Sequence, residues 1–282
     1  MITGLTIHTK YVDPLFLSMP GGGEGYLVRS IDGLGPVPIT LSSTPLAQLD
    51  KEILQGNRRE RRTIILSVKL DQNWGLSSIE SRRKRLYSLA VRKNPLTMEF
   101  ATTDKGSVLI DGYVEDVDSD PFSDDPVVVL TIACLDPDFR DSESDSIEGV
   151  MGTNLYFANY EGDVPTGMVI TIFDPGVAGR AQVRFRSYYQ ETGEETGHIY
   201  HGPGFSPGTG RFWTISTIPG NKYFEREVGA VASFFTNIDH QSLIWPILYP
   251  GANLLTMVSE ENPPDAGPWE FSISWTNLYG AI

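Results

Sequence analysis

Apolar and polar residues alternate along much of this chain, and the alternation predicts strands. Over residues 63–70, Ile64, Leu66, Val68 and Leu70 face one way, and Thr63, Ser67 and Lys69 face the other. A period of two puts successive side chains on opposite faces, so this segment reads as a strand with one buried face. Residues 127–135 are nearly all apolar and β-branched, which predicts a central strand buried on both faces. Residues 107–117 form another extended segment, and the acidic stretch 116–125 then turns into Val127. One segment departs from the period of two. Residues 78–93 predict a helix, with Ser77 and Glu80 as a capping box, Ile79, Leu86, Leu89 and Ala90 as a partial apolar stripe, and Asn94-Pro95 as its stop. Residues 11–25, with Pro14, Pro20 and Gly21-Gly22-Gly23, read as a loop.

The second half carries strand signals almost exclusively. Phe271, Ile273 and Trp275 alternate with Ser272, Ser274 and Thr276, and Trp275 is therefore expected in the core. Residues 168–173, 182–188, 211–218 and 254–258 read the same way. Pro-Gly turns at Pro175, Pro203, Pro207, Pro219 and Pro250 separate them. Short strands with regular turns predict an antiparallel sandwich. The fold class expected is all-β, with two β-sandwich-like domains, the first carrying the single helix. Residues 1–141 form the first domain, the acidic small-residue stretch 142–149 is a linker, and residues 150–282 form the second.

Composition narrows the function. The chain of 282 residues has 22 basic and 36 acidic side chains, a net charge of −14. The charge is uneven: 16 basic against 20 acidic residues up to Asp141, then 6 against 16. Such a balance opposes tight, unaided binding to nucleic acid or anionic lipid. A single cysteine, Cys134, excludes an internal disulfide framework, and its apolar strand predicts a buried, inert thiol. No apolar run is long enough to span a bilayer, and no secretory signal is visible at the N-terminus.

Catalytic signatures are weak. His198 and His201 lie three apart near Glu194 and Glu195, but a metal site needs three or four converging ligands. No nucleophile elbow or zinc-protease motif is present, and Gly21-Gly22-Gly23 lacks the Lys and helix of a phosphate loop. No cofactor is expected, and no enzymatic activity. A glycan-degrading carboxylate pair ranks last among the functions considered. The basic clusters are Arg58, Arg59, Arg61 and Arg62, then Arg82, Arg83 and Arg85. The acidic one is Asp116, Asp118, Asp120, Asp124 and Asp125. Complementary patches on one domain suit contacts between identical subunits of a ring, so these twelve residues are the candidate inter-subunit contacts. Among the many aromatics of the second half, Trp213 and Trp245 are the candidates for an exposed sugar-binding face.

The order of segments resembles the distal tail protein family of long-tailed (siphovirus) bacteriophages. Tyr26-Leu-Val-Arg-Ser-Ile-Asp-Gly-Leu-Gly-Pro36 is similar to the family's opening strand and Gly-Pro turn. Gln55-Gly-Asn-Arg58 resembles its Gln-Gly-x-Arg turn. Lys93-Asn-Pro95 and Leu130-Thr-Ile-Ala-Cys-Leu-Asp-Pro-Asp-Phe139 follow in order. Asn159-Tyr-Glu-Gly162 with Pro165, then Leu248-Tyr-Pro-Gly-Ala-Asn-Leu254, resemble its C-terminal sandwich. Residues 218–237 and the 11–25 loop depart from the pattern. The resemblance implies a structural virion protein at the distal end of the tail, made in the bacterial host cytoplasm. It implies a homohexameric ring, closed by the first domain and an extended arm, with a galectin-like second domain. The ring would join the tail tube protein to the baseplate hub and to receptor-binding or fibre proteins, with DNA in transit and no membrane. The alternative is a carbohydrate-binding module that contacts the host cell surface.

Overall fold

The computed structural model describes residues 1–10, 12–18, 25–45, 52–71, 78–91, 94–120, 126–152, 155–173, 183–201, 212–228, 230–233, 245–259 and 269–282. The chain divides into two compact units. One is Met1–Ser142 together with Tyr279–Ile282, and the other is Glu143–Leu278. Both are built from strands, and α1 (Ile79–Val91) is the one helix among the described residues. The all-β class is therefore observed.

The first unit holds β1 (Ile2–Thr9), β2 (Val12–Ser18), β3 (Tyr26–Asp32), β4 (Ile39–Pro45), β5 (Glu52–Arg59) and β6 (Arg62–Leu70) before the helix. After it come β7 (Leu96–Thr102), β8 (Gly106–Ser119), β9 (Val127–Cys134) and β10 (Phe139–Asp141). The main sheet runs β10-β8-β7-β1-β2-β3-β6-β9, with β21 (Leu278–Tyr279) beyond β10 and a further pairing of β8 with β9. That last pairing closes the sheet on itself. The long β8 does this by changing partners: Gly106–Gly112 pair with β7, and Tyr113–Ser119 pair with β9 across a bulge at Val114 and Asp116. Gly112 sits where the strand switches. A Cβ there would lie 2.7 Å from Ile132 Cγ2 and 3.1 Å from Cys134 Sγ, so only glycine lets β8 approach β9 this closely.

Inside the closed sheet the inward rows pack as one core. Ile64, Leu66, Val68 and Leu70 of β6 are all buried, as their alternation predicts. Each such burial is worth about 1.5–3 kcal/mol. On β9 the inner row is Val128, Leu130 and Ile132, while Val127, Val129 and Thr131 are only half-buried. The strand is thus not buried on both faces; its β-branched outer row reflects strand propensity rather than a second core layer. The helix caps this core with Leu86 and Leu89. Its N-cap is Ser78, whose Oγ accepts the Ser81 amide at 3.2 Å. The expected cap, Ser77, lies outside the described residues.

The 11–25 segment corrects the expected loop. Residues 12–18 form β2, antiparallel to β1, with Leu15 and Leu17 buried and Phe16 outside. Pro14 is tolerated because the register slips between Ile7 and Thr9, opposite the start of β2, where an amide donor can be spared.

The second unit is a two-sheet sandwich. Its strands are β11 (Asp145–Val150), β12 (Leu155–Tyr160), β13 (Val169–Phe173), β14 (Val183–Tyr189), β15 (Glu194–His201), β16 (Phe212–Ser216), β17 (Tyr223–Val228), β18 (Ala230–Ser233), β19 (Gly251–Ser259) and β20 (Glu270–Trp275). One sheet has the order β11-β20-β13-β16-β17-β18 and the other β12-β19-β14-β15. Phe271, Ile273 and Trp275 of β20 join Ile170, Phe185 and Leu255 in the core between them. The stretch 142–149 corrects the expected linker: from Asp145 it pairs residue by residue with β20. Its polar look comes from lying at a sheet edge, where one row faces water and only Ile147 packs inward. The 150–282 boundary is corrected as well, because Tyr279–Ile282 return to the first unit. Tyr279 is buried there and donates to Asp141 Oδ2 at 3.0 Å.

Replacing Gly112 by Val is expected to destabilise the first unit by about 1–3 kcal/mol through overpacking against β9. Gly56→Ala, where a Cβ meets nothing within 4 Å, is the control expected to be near neutral. Urea midpoints for the two variants check this.

Candidate functional site

The charged residues singled out in the sequence are for the most part paired inside their own chain. Arg62 is almost fully buried. Its Nε donates to the Pro137 carbonyl at 2.7 Å, Nη1 to the Gly33 and Gly35 carbonyls at 2.6 Å each, and Nη2 to the Gly280 carbonyl at 2.6 Å. The guanidinium also lies 4.5 Å from the centre of the Phe139 ring. Burial lowers its pKa, against the opposing charge of Asp138. Gly33 is needed beside it: its φ is +89°, and a Cβ would fall 2.0 Å from the Thr63 carbonyl oxygen. Arg82 and Arg83 are buried too. Arg82 donates to the Asp71 carbonyl, and Arg83 pairs with Glu80 at 2.8 Å. Arg62, Arg82 and Arg83 are thus removed from the expected set of inter-subunit contacts, because their own chain covers them, although Arg83 Nε has no hydrogen-bond partner among the described residues.

The other members are distributed differently. Arg85 reaches the Asp13 and Pro14 carbonyls at 3.3 and 3.2 Å and fastens α1 to β2. Arg59 forms an ion pair with Asp138. Arg61 meets Glu115, which lies beside the expected acidic cluster and is not a member of it, at 2.9 Å within the same chain. Arg58, Asp116, Asp118 and Asp120 are exposed. Asp116 Oδ1 accepts the Val117 amide. Asp124 and Asp125 lie outside the described residues.

Trp213 is buried, with its ring 6.0 Å from that of Trp269. It is a core residue, which corrects its candidacy for sugar contact. Trp245 is half-buried, and the Lys222 ammonium sits 4.8 Å from its ring centre. His198 pairs with Glu195 at 2.6 Å. Among the described residues, no group of three or more His, Cys, Asp or Glu side chains is placed to hold a metal. Nor, among them, is any helix long and apolar enough to cross a membrane. Burial pushes the Cys134 thiol up to about 12, which makes it a poor nucleophile.

A cleft of about 520 Å³ opens beside β1 and β8, lined by His8, Thr97, Asp111, Tyr113 and Leu135 among others. Among its polar groups, His8 pairs with Glu99 at 2.7 Å, and Asp111 with Arg140 at 2.7 Å and Thr97 at 2.6 Å. Burial works against ionisation of Asp111, but the hydrogen bonds from Arg140 and Thr97 and the Arg140 charge prevail and hold its carboxyl below the ordinary value.

The exposed feature that charge clustering missed is the hairpin of β4 and β5. These two strands form a sheet of their own. Opposed residues share a face, so Ile39 and Leu41 lie with Leu54 on one side, while Thr40, Ser42 and Arg58 lie on the other. Ile39, Leu41, Ile53 and Leu54 are 58%, 64%, 53% and 57% exposed. Alternation at Ile39 and Leu41 was the available signal. Gln55-Gly-Asn-Arg58, expected as a turn, is strand: Gln55 is the extra residue of a bulge, and Gly56 pairs with Ser42.

A closed β-unit with one helix, interrupted in sequence by a two-sheet sandwich, is a fold that this chain shares with a solved phage protein. The particular structure that shows it is the SPP1 phage Dit protein (gp 19.1), similar at a TM-score of 0.61 and 14% identity, covering 89% of this chain and 93% of that one. Two structures of the phage p2 baseplate in its activated conformation, with strontium and with calcium, match at TM-scores of 0.46 and 0.47 and identities of 13% and 12%. They cover 96% and 97% of this chain, and 97% and 98% of the chains matched. No protein-family model and no curated protein matches the sequence.

Two outcomes follow from the buried charges. Arg62→Met leaves four carbonyls without their donor and is expected to cost about 3 kcal/mol or more, measured by chemical denaturation; Arg62→Lys, with a single ammonium, is expected to recover little of it. The second concerns acid. Because the Asp111 pKa is depressed in the folded state, its ionised form adds stability above the ordinary carboxylate value of about 4. That stability is lost as the pH falls toward the folded value. Arg140→Gln is expected to flatten this acid limb, read as melting temperature against pH.

Proposed function

We propose that this protein is a structural component of a phage tail tip, located at the distal end of the tail in the virion. The observation that carries it is the correspondence with SPP1 Dit over nearly the whole of both chains. That protein is described as a paradigm of the hub adsorption apparatus in phages that infect Gram-positive bacteria. In this reading the chain forms a homohexameric ring between the tail tube and the baseplate hub with its receptor-binding or fibre proteins. DNA passes through the ring. The role is architectural, without catalysis or cofactor.

The β4–β5 hairpin supports ring closure. An isolated two-stranded hairpin is marginal in water, and this one exposes Ile39, Leu41 and Leu54 on a face they share with Ser43, Asn57 and Arg59. A neighbouring copy that covered Ile39, Leu41 and Leu54 would turn that liability into a heterologous contact, the kind that closes a ring by rotation. Exposed Arg58, Asp116 and Asp118 would supply charge to a neighbour at the rim of such a contact. The net charge of −14 favours passage of DNA without retention.

Native mass spectrometry at low and high salt tests this reading. The expected result is about six times the chain mass, retained in salt because an apolar contact is not screened. The double variant Leu41→Lys, Leu54→Lys alters only exposed side chains and is expected to yield folded monomer. A monomer of the native protein at every concentration, or an unchanged assembly in the double variant, would overturn ring closure by this hairpin.

A further inference from the structure

We propose that the edge of the sandwich formed by β12 accepts an extended segment of another protein as an additional antiparallel strand. The segment has apolar residues at alternate positions and basic residues between them.

The observation is an edge without the usual protection among the described residues. Sheet edges in native proteins are blunted by charges, prolines, bulges or shortness, because their free amides and carbonyls recruit other strands. The other edges of this unit follow that rule. β11 exposes Asp145 and Glu148, β15 exposes Glu194 and Glu195 and faces a bulge at Ser187, and β18 has only four residues. The β12 sequence, Leu-Tyr-Phe-Ala-Asn-Tyr, has no charge, proline or glycine. It pairs with β19 over six consecutive positions without a break in register. Leu155 and Phe157 project from it on one face, 57% and 58% exposed. They stand two residues apart, the spacing at which an added strand places its own alternate side chains.

The edge is also held rigid, so an incoming strand orders little on this side. Tyr156 turns inward, donates its hydroxyl to the Val150 carbonyl at 2.7 Å and accepts the Val150 amide at 3.1 Å. Its ring packs edge-on against Phe271, 4.9 Å between centres. Gly149 makes room for it, since a Cβ there would come within 2.4 Å of the ring. Tyr160 anchors the far end through Val164 and the Leu278 amide.

Charge selects the occupant. The region from Ser142 onward has 6 basic against 16 acidic residues, and β11 exposes two carboxylates close to the edge in sequence. A second copy would bring the same acidic surface to this edge, whereas a basic strand would be drawn to it.

The test uses the full-length protein and a capped peptide, Lys-Val-Thr-Val-Lys-Val, followed by fluorescence anisotropy and by backbone amide shifts. Saturable binding is expected, with the shifts centred on residues 155–160. Phe157→Lys, an exposed position, is expected to weaken it by about tenfold or more. Methylating alternate peptide nitrogens is expected to abolish it, which separates strand addition from simple apolar adhesion. Failure to bind at millimolar peptide, shifts centred elsewhere, or equal binding of the methylated peptide would each overturn the proposal. So would self-association that Phe157→Lys removes in the absence of peptide binding. None of these outcomes bears on the six-fold mass, so this inference and the ring reading fail separately.

Discussion

The guanidinium of Arg62 is the constraint on which the first unit depends. Three of its nitrogens hold four backbone carbonyls, at Gly33, Gly35, Pro137 and Gly280. These belong to segments far apart in sequence: the turn after β3, the link from β9 to β10, and the chain that returns after the sandwich. A buried cation is costly unless its donors are satisfied. Here the carbonyl dipoles supply that satisfaction, and the planar fork fits them where a lysine ammonium would not. The β4–β5 hairpin leaves the chain just after Gly35 and rejoins it just before Arg62, so the same side chain ties its two legs at the base. The Arg59–Asp138 pair and the Thr40–Glu60 hydrogen bond of 2.6 Å reinforce that root.

This arrangement explains why charge clustering is a poor guide to contacts in this protein. A run such as Arg58-Arg59-Glu60-Arg61-Arg62 looks like one exposed patch, yet it crosses the end of a strand and sends its members in different directions. Arg58 faces solvent on the hairpin, Arg61 lies across to Glu115, and Arg62 turns inward. The run on α1 behaves similarly. Arg82 and Arg85 serve backbone carbonyls at Asp71, Asp13 and Pro14, fastening a helix that offers the core little besides Leu86 and Leu89. Arginine is suited to this work because its long apolar stem can be buried while its head reaches a carbonyl.

Strands with one buried face were legible because alternation records burial directly. β20 shows it throughout and β6 at every position of 63–70 but Ile65, and the helix was legible from its cap region and its Asn-Pro stop. Segments failed where burial is not what shapes the sequence. β2 carries a proline at a bulge, β11 is polar because it is an edge, and the hairpin strands bury nothing in the described chain. The return of Tyr279–Ile282 to the first unit depends on contacts with Asp141, Arg62 and Leu34, which no local pattern announces. The exposed apolar positions were hardest to find, since Leu155 and Phe157 in a strand read like core residues until the opposite row, Tyr156, Ala158 and Tyr160, is seen to face inward.

The hairpin and the β12 edge expose similar apolar surface but differ in what binding must supply. Among the described residues the hairpin has no third strand and no core of its own, so there its conformation away from the clamped base rests on its own ladder. A partner that covers it must also order it, at a cost of about 1–2 kcal/mol for each backbone residue fixed. Such a contact suits permanent assembly, where a large apolar area is covered once. β12 is already fixed by β19, Tyr156 and Tyr160, so an added strand meets a finished template and the ordering cost falls on the incoming segment alone. That asymmetry suits attachment of a separate component to an assembly already built. The two surfaces therefore differ in their physics: a contact on the hairpin must order what it covers, whereas a strand added at β12 meets a template that is already fixed.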